Sequence, residues 1–202
     1  MGCGTGCVGI ALAREVPRVK VWGVDILPEA VHASRENARR NGLPEARYTA
    51  IQSDLFGWFC TSEGEGGAGV DSRPRAERIA DVHRHSFDLI VCNPPYLLPS
   101  QYDALPPTVK HWESRLALVG DAYRESKQYL YFQELCEYGV AMLKPDRLKD
   151  PELRTIPNLV FEVGLQAELV ASLMEKSKKW TNVEVHLDDT QQPRWITAIS
   201  VH

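Results

Sequence analysis

The chain has 202 residues, of which 44% are apolar and 25% charged, a composition typical of one globular domain with a full hydrophobic core. No apolar run reaches the length of a membrane span. The net charge is −4 and Lys and Arg are scattered, which argues against a large phosphate-binding surface. The five cysteines lack C-x-x-C spacing, so the sequence indicates neither a disulfide framework nor a metal site.

The chain opens with a glycine-rich turn, Gly2-Cys3-Gly4-Thr5-Gly6, and an apolar run over residues 8–13 that predicts the first helix. Glycines let the backbone approach a ligand closely, and the free N–H groups at a helix start favour a carboxylate or phosphate. Gly4, Gly6 and Gly9 also fit the dinucleotide pattern G-x-G-x-x-G. The turn therefore predicts a nucleoside cofactor, but it does not separate a nicotinamide enzyme from a methyltransferase.

Two predicted strands that follow each end in a carboxylate. The strand over residues 19–25 ends at Asp25, 19 residues after Gly6, where Rossmann-like folds place the carboxylate that accepts hydrogen bonds from ribose hydroxyls. The alternative for Asp25 is a cap on the next helix, predicted from Pro28 to Asn41. The strand over residues 48–54 ends at Asp54, which is expected at the same sheet edge, near the adenine amino group; its alternative is a helix or turn cap.

The stretch over residues 60–86 has no hydrophobic periodicity, and its glycines cluster with Ser, Glu and Arg. It is too long for an ordinary connection between two elements. The composition predicts a flexible surface insertion.

The motif Asn93-Pro94-Pro95-Tyr96 follows an apolar run over residues 87–92, which predicts a buried strand stopped by two prolines. Each proline fixes its own φ and restricts the residue before it, so the turn should be stiff, with outward carbonyls. Asn93 adds an amide oxygen and Tyr96 adds a flat ring. This set suits a planar NH2-bearing group such as a carboxamide or a nucleobase amine. The alternative is an ordinary loop at the end of a strand.

The second half of the chain predicts a helix over residues 129–142, a buried strand over 159–164, a helix through Leu169 and Met174, and strands over 183–187 and 195–199. The last two strands have no helix between them and should pair antiparallel, whereas the earlier strand and helix alternation requires parallel neighbours. The predicted fold class is therefore α/β, a Rossmann-like class I methyltransferase with a mostly parallel sheet and a C-terminal antiparallel hairpin.

The first strand of such a sheet is expected to be missing, because the chain opens inside a glycine motif that normally follows a strand. That strand would lie between the strands ending at Asp25 and Asn93. We therefore expect residues 1–202 to be a methyltransferase catalytic domain that is truncated at its N-terminus.

Taken together, these motifs resemble the HemK/PrmC-type enzymes, which methylate the side-chain amide of glutamine in peptide chain release factors. The likeness rests on the glycine loop, Asp25, Ser53-Asp54-Leu55-Phe56, the N-P-P-Y turn, Glu113 before Leu116-Ala117-Leu118, and Glu162-Val163-Gly164. Ser114 departs from the proline that family members usually carry after that glutamate. The insertion and spacing suggest a eukaryotic, mitochondrial-type member.

The resemblance implies S-adenosylmethionine as the cofactor, no metal, and a release factor with its Gly-Gly-Gln motif as the protein substrate. Nucleic acid would be reached only through the release factor, no membrane would be involved, and the location would be mitochondrial or cytoplasmic. The implied catalytic residues are Asn93, Pro94, Pro95 and Tyr96. The implied cofactor-binding residues are Gly2, Cys3, Gly4, Thr5, Gly6, Asp25, Asp54, Leu55 and Asn93.

Two alternatives stay open at this stage. N-P-P-Y also occurs in methyltransferases that act on amino groups of adenine or guanine in DNA or RNA, so the tetrapeptide does not specify the substrate. The glycine pattern also allows a nicotinamide-binding oxidoreductase or an inactive binding module.

Overall fold

A computed structural model describes residues 1–61, 75–119 and 130–202. Contacts divide the chain into two compact units, Met1–Ser62 and Glu63–His202. The helices described are α1 Cys7–Glu15, α2 Pro28–Arg40, α3 Pro99–Asp103, α4 Pro107–Trp112, α5 Arg115–Val119, α6 Leu130–Met142 and α7 Ala167–Ser177. The strands described are β1 Val21–Asp25, β2 Tyr48–Gln52, β3 Ile90–Cys92, β4 Leu159–Glu162, β5 Trp180–Leu187 and β6 Pro193–Ser200.

The first unit is built on two parallel strands, β1 and β2, joined by α2. Because the strands are parallel, their carboxyl ends meet at one edge, where Asp25 pairs with Gln52. The core residues Ile10, Val31, Ala38, Tyr48 and Ala50 fill the space between the helices and this sheet. As predicted, α2 begins at Pro28, whose fixed φ suits a first helical position.

The C-terminus of α1 is held by one arginine side chain. Arg47 donates to the backbone carbonyls of Ala13, Val16 (3.0 Å) and Val19 (2.8 Å). These carbonyls lie at or just beyond the end of α1, where helix carbonyls lack partners within the helix. The guanidinium therefore fixes the helix that follows the glycine loop.

The second unit contains a four-stranded sheet in the order β3-β4-β6-β5. β3 and β4 are parallel, whereas β6 is antiparallel to both β4 and β5. The predicted C-terminal antiparallel hairpin is confirmed, and its second strand lies between β4 and β5. Asn158, which is buried, links three strands: its carbonyl accepts from Ile90, and its side chain exchanges two hydrogen bonds of 2.9 Å with Ser200.

The strand before the N-P-P-Y turn is shorter than predicted. β3 covers only Ile90–Cys92, and Phe87 makes a separate parallel bridge to Leu143. Between them, Asp88 forms an ion pair with Lys144 at 2.7 Å. The predicted strand and its end before Asn93 are confirmed, but it does not include Phe87, because Phe87 pairs with Leu143 and not with β4.

The predicted flexible insertion over residues 60–86 falls partly outside the described residues, which omit 62–74. Residues 75–86 are packed: Ile79 is buried, and short 3₁₀ turns cover Arg75–Arg78 and Asp81–His83. The N–H of His85 donates to the carbonyl of Ala141 at 3.0 Å. The structure thus places short turns and one buried apolar side chain, Ile79, within 75–86, and flexibility of the insertion stays a prediction.

The segment after Tyr96 consists of the short helices α3, α4 and α5. Proline stands in the first turn of α3 and of α4, and the N–H of Leu97 donates to the carbonyl of Leu118 at 3.0 Å, which closes the segment on itself. None of the helices within the described ranges has the length and apolar character to cross a membrane.

Candidate functional site

The predicted site residues form two groups. The glycine loop, Asp25, Asp54 and Leu55 belong to the first unit, and the N-P-P-Y turn belongs to the second. Each group is positioned by the elements of its own unit.

The backbone of the glycine loop makes several hydrogen bonds within its own unit, among them one from the Asn37 side chain to the carbonyl of Thr5 at 3.0 Å. The N–H of Cys3 donates to the carbonyl of Val24 at 2.9 Å, that of Gly4 to Oδ2 of Asp25 at 2.8 Å, and that of Gly6 to the carbonyl of Cys3 at 2.8 Å. These three N–H groups are therefore engaged within the first unit. The N-terminus of α1 has no side-chain cap, so the N–H groups available to an anion are those of the first helical turn.

The glycines of the loop and of the adjoining α1 and β1 have two different physical roles. A Cβ at Gly6 would lie 2.8 Å from the Tyr48 hydroxyl, one at Gly9 would lie 2.9 Å from Cε2 of Tyr48, and one at Gly23 would lie 2.5 Å from the hydroxyl. These three glycines therefore make room for Tyr48, and Gly6 also makes room for Ser34, whose Oγ would lie 2.5 Å from its Cβ. Gly4 differs, because its φ is +51° and a Cβ there would meet no atom of a described residue within 4 Å. Only Gly4 of these four presents its backbone to open space.

A buried polar pair lies under the loop. The hydroxyls of Ser34 and Tyr48 are 2.6 Å apart, and Sγ of Cys3 lies 3.8 Å from Oγ of Ser34. Burial raises the pKa of both the Cys3 thiol and the Tyr48 phenol, so both groups stay protonated at neutral pH. Cys3 thus turns its side chain inward, and any contact of this residue with a ligand is left to its backbone.

Asp25 ties the loop to the start of α2. Its Oδ2 accepts from Gly4, and its Oδ1 accepts from the N–H of Leu27 at 3.1 Å. Asp25 does not cap α2 itself, because the N-cap residue is Leu27 and no described side chain caps this helix; Asp25 accepts instead from the N–H of Leu27. Ribose binding stays a prediction that the geometry allows, since each carboxylate oxygen has a second lone pair.

Asp54 and Leu55 lie just after β2, at the carboxyl edge that also carries Asp25. The N–H of Ser53 donates to the carbonyl of Asp25 at 2.9 Å, which continues the strand pairing to this point. Asp54 is exposed and Leu55 is half-buried with φ of +47°, a left-handed conformation that is rare for a residue with a branched side chain. Backbone strain of this kind is typical of functional edges, and the roles predicted for both residues stay predictions.

The N-P-P-Y turn keeps the two predicted acceptors open. Asn93 is exposed and Pro94 is buried. Within the described part of the chain, no group donates a hydrogen bond to the Asn93 side chain or to the Pro94 carbonyl. The turn therefore carries one side-chain acceptor and one backbone acceptor that have no donor among the described residues.

Tyr96, in contrast, is engaged at both ends. Its hydroxyl donates to Oε1 of Glu162 at 2.6 Å and accepts from Nη1 of Arg194 at 3.3 Å, while its carbonyl accepts from Nε2 of Gln166 at 2.8 Å. Burial and the hydrogen bond to Glu162 raise the pKa of Tyr96. The sequence reading assigned Tyr96 a flat ring and no partner for its hydroxyl.

The three partners of Tyr96 were missed as functional residues. Glu162 belongs to the Glu162-Val163-Gly164 motif, and that motif is the sequence signal that could have identified Glu162 as a functional residue. Arg194 carries no local signal, because only the pairing of β6 with β4 brings it to the turn. Among the described residues no cluster of His, Cys, Asp and Glu is suited to hold a metal ion.

Comparisons with known proteins identify the class first. A family model described as a methyltransferase domain matches residues 1–65. A predicted O-methyltransferase from Agrobacterium tumefaciens has a TM-score of 0.57 at 15% identity, covering 100% of this chain and 72% of its own. A SAM-dependent methyltransferase from Aquifex aeolicus has a TM-score of 0.50 at 13% identity, covering 99% and 79%. The fold is that of the class I methyltransferases.

Sequence relatives then narrow the family. A release factor glutamine methyltransferase from Geobacter sulfurreducens is 35% identical over 59% of this chain and 33% of its own length. One from Bacillus anthracis is 28% identical over 98% of this chain and 57% of its own length. The chain is thus related to the release factor glutamine methyltransferases, as its motifs predicted, and it spans about a third to just over half of the length of these two relatives.

Proposed function

We propose that this chain is the catalytic domain of an enzyme that transfers a methyl group from S-adenosylmethionine to a glutamine side-chain amide in a peptide chain release factor, at the Gly-Gly-Gln motif. The observation that carries the proposal is the pair of open acceptors on the N-P-P-Y turn. A primary carboxamide has two N–H donors on one planar nitrogen, and two acceptors on a stiff turn can hold both of them. The relatives' shared name supports glutamine as the source of that amide.

The residues of the first unit fit the cofactor. Gly4 faces open space with a positive φ, so a ligand can approach its backbone closely. Asp25 retains acceptor capacity for ribose hydroxyls beside its two backbone hydrogen bonds, and the exposed Asp54 lies at the same edge for the adenine amino group. The carboxylate of the methionine part would take the uncapped first turn of α1.

In the proposed reaction, the protein acts by positioning. Bound S-adenosylmethionine supplies a methyl group that is already activated for displacement. A carboxamide nitrogen is a weak nucleophile because its lone pair is delocalised. Asn93 and Pro94 accept its two hydrogens and orient the nitrogen, and orientation of reacting groups can contribute roughly 7 to 11 kcal/mol at its best. No side chain is required as a base before transfer, because the surplus amide proton leaves afterwards.

The main alternative is methylation of an amino group of adenine or guanine in nucleic acid. That group is also a planar NH2, so the turn alone accommodates it. The net charge of −4 and the scattered basic residues argue against a phosphate-binding surface, and the named relatives support a protein substrate. An oxidoreductase or binding module is not favoured, because the comparisons give a methyltransferase domain over the glycine loop.

The test is transfer of labelled methyl from S-adenosylmethionine to a purified release factor. A release factor with the Gly-Gly-Gln glutamine replaced by alanine is the matched control, and RNA and DNA are offered in parallel. We expect label on the wild-type release factor and none on the control. Label confined to nucleic acid, or equal label on both release factors, would overturn the proposal.

A further inference from the structure

The end of β4 and the turn after it hold Tyr96 from one side. Glu162 accepts the Tyr96 hydroxyl at 2.6 Å, and Gln166 donates to the Tyr96 carbonyl at 2.8 Å. Between them, a Cβ at Gly164 would lie 3.1 Å from Cδ2 of the Tyr96 ring. The absence of a side chain at Gly164 therefore lets the ring lie against the backbone.

Arg194 on β6 completes the arrangement from the neighbouring strand. Its Nη1 donates to the Tyr96 hydroxyl at 3.3 Å and lies 3.5 Å from Oε1 of Glu162. Its Nε and Nη2 donate to Oδ2 of Asp188 at 3.2 and 2.8 Å, and its carbonyl accepts from Val163 at 2.9 Å. Because Asp188 binds both Nε and Nη2 of the planar guanidinium, Nη1 is fixed in position beside the Tyr96 hydroxyl.

Asp188 in turn is held as a carboxylate. Thr190, Arg194 and the backbone N–H of Gln192 donate to it, and these hydrogen bonds lower its pKa far below the ordinary value. Asp188 is therefore an anion at neutral pH and holds Arg194, which in turn contacts Glu162 and Tyr96.

We propose that Glu162 and Arg194 are positioning residues for methyl transfer, which act by holding the Tyr96 phenol so that the turn carrying Asn93 and Pro94 keeps one geometry. The proposal rests on the proposed function. Because the Tyr96 hydroxyl donates its hydrogen to Glu162, Tyr96 would contact the substrate through its ring and not through its hydroxyl.

The first arm of the test is a double-mutant cycle on turnover. We expect Glu162→Ala to lower kcat about tenfold with little change in the affinity for S-adenosylmethionine, because the effect is on geometry at the turn. Glu162→Gln keeps an acceptor for the phenol and should restore most of kcat. Glu184→Ala, an exposed glutamate on β5, is the matched control and should leave kcat unchanged.

The background for the cycle is Tyr96→Phe, which keeps the ring and removes the hydroxyl. A residue that acts through the phenol has no further effect once the phenol is gone, so Glu162→Ala should lower kcat less than about twofold in this background. An equal loss in both backgrounds would overturn the proposal. Thermal unfolding of each variant separates a loss of turnover from a loss of folded protein.

The second arm needs no activity. Tyrosine labelled with ¹³C at Cζ gives a Tyr96 resonance that is assigned by its loss in Tyr96→Phe, and its titration reports the phenol pKa. A nearby negative charge disfavours the phenolate and a positive charge favours it. The Tyr96 pKa should therefore lie above the ordinary value, fall in Glu162→Gln and rise further in Arg194→Ala.

These two arms separate the two proposals. A Tyr96 pKa at the ordinary value in all three proteins would overturn the hold on Tyr96, whatever the activity. The other informative outcome is that the Tyr96 pKa shifts in opposite directions in the two variants while the wild-type protein methylates no release factor. This outcome would support the hold on Tyr96 and overturn the proposed function.

Discussion

The two groups of site residues differ in whether their hydrogen-bonding groups are already engaged within the fold. In the glycine loop, the N–H groups of Cys3, Gly4 and Gly6 are bound within the first unit. In the N-P-P-Y turn, the acceptors of Asn93 and Pro94 have no partner among the described residues. The comparison teaches that a glycine can mark close packing within the fold, as Gly6, Gly9 and Gly23 do around Tyr48.

Asn93→Ala should produce the largest effect, a loss of turnover of about a hundredfold or more, because one of the two groups that orient the amide nitrogen is removed. Binding of S-adenosylmethionine should change little, since the loop and Asp25 are intact. The measurements are kcat for methyl transfer and calorimetric titration with the cofactor. Equal weakening of cofactor binding in Asn93→Ala and Asp25→Ala would contradict the division of roles between the two groups.

Asp25→Ala should mainly affect the first unit. It removes the acceptor for the N–H groups of Gly4 and Leu27, and two hydrogen bonds to a charged, half-buried group correspond to a loss of about 3 kcal/mol in the free energy of unfolding. Cofactor affinity should fall with it. Denaturant unfolding measures the first effect and titration of the folded variant the second.

The matched control for Asp25 is Asp54→Ala, an exposed carboxylate at the same edge whose side chain accepts no hydrogen bond from a described residue. Its stability should match that of the wild type, while its cofactor affinity falls. A loss of stability as large as that of Asp25→Ala would show that the two carboxylates share a structural role.

Local patterns predicted the elements well. The limits of α2 follow from Pro28 at its start and from Gly42, with φ of +71°, just beyond its end. The connection between the last two strands, too short for a helix, predicted their antiparallel pairing. Both predictions depend on residues that are close in the chain, where backbone geometry alone is decisive.

Contacts between distant residues were not predictable in the same way. Nothing in the loop's own sequence shows that Gly6, Gly9 and Gly23 surround Tyr48, which is the first residue of β2. Likewise, Arg194 reaches Tyr96 only because β6 lies beside β4, a strand order that hydrophobic periodicity does not specify. Local sequence patterns therefore indicate candidate site residues but not the distant residues that contact them.

Gly23→Ala tests whether packing around Tyr48 explains the glycines. A Cβ 2.5 Å from the Tyr48 hydroxyl forces a shift, and overpacking of this kind should cost about 2 kcal/mol in the free energy of unfolding. Tyr48→Phe removes the clashing oxygen, so the double variant should lose less than the sum of the two single losses. Strictly additive losses would mean that the hydroxyl is not the obstacle.

Gly4→Ala is the control for that experiment. Its Cβ meets no atom of a described residue, so the expected cost is the left-handed backbone strain alone, about 1 kcal/mol. Cofactor affinity should nevertheless fall in Gly4→Ala, because the methyl group occupies the open space in front of the loop. The melting temperature and the cofactor titration of both variants make the comparison.

Gln166→Leu should have the smallest effect on stability. Gln166 is buried and donates to the Tyr96 carbonyl, but its Oε1 has no hydrogen-bond partner in the described part of the chain. A leucine of similar size loses one hydrogen bond and also removes a buried unpaired acceptor, and these opposing changes should cancel to within about 1 kcal/mol. Turnover should fall several-fold, because the Tyr96 carbonyl is no longer held. Gln133→Leu, at an exposed position on α6, is the control and should change neither quantity. A large loss of stability in Gln166→Leu with unchanged turnover per folded molecule would mean that Gln166 supports the sheet and not the turn.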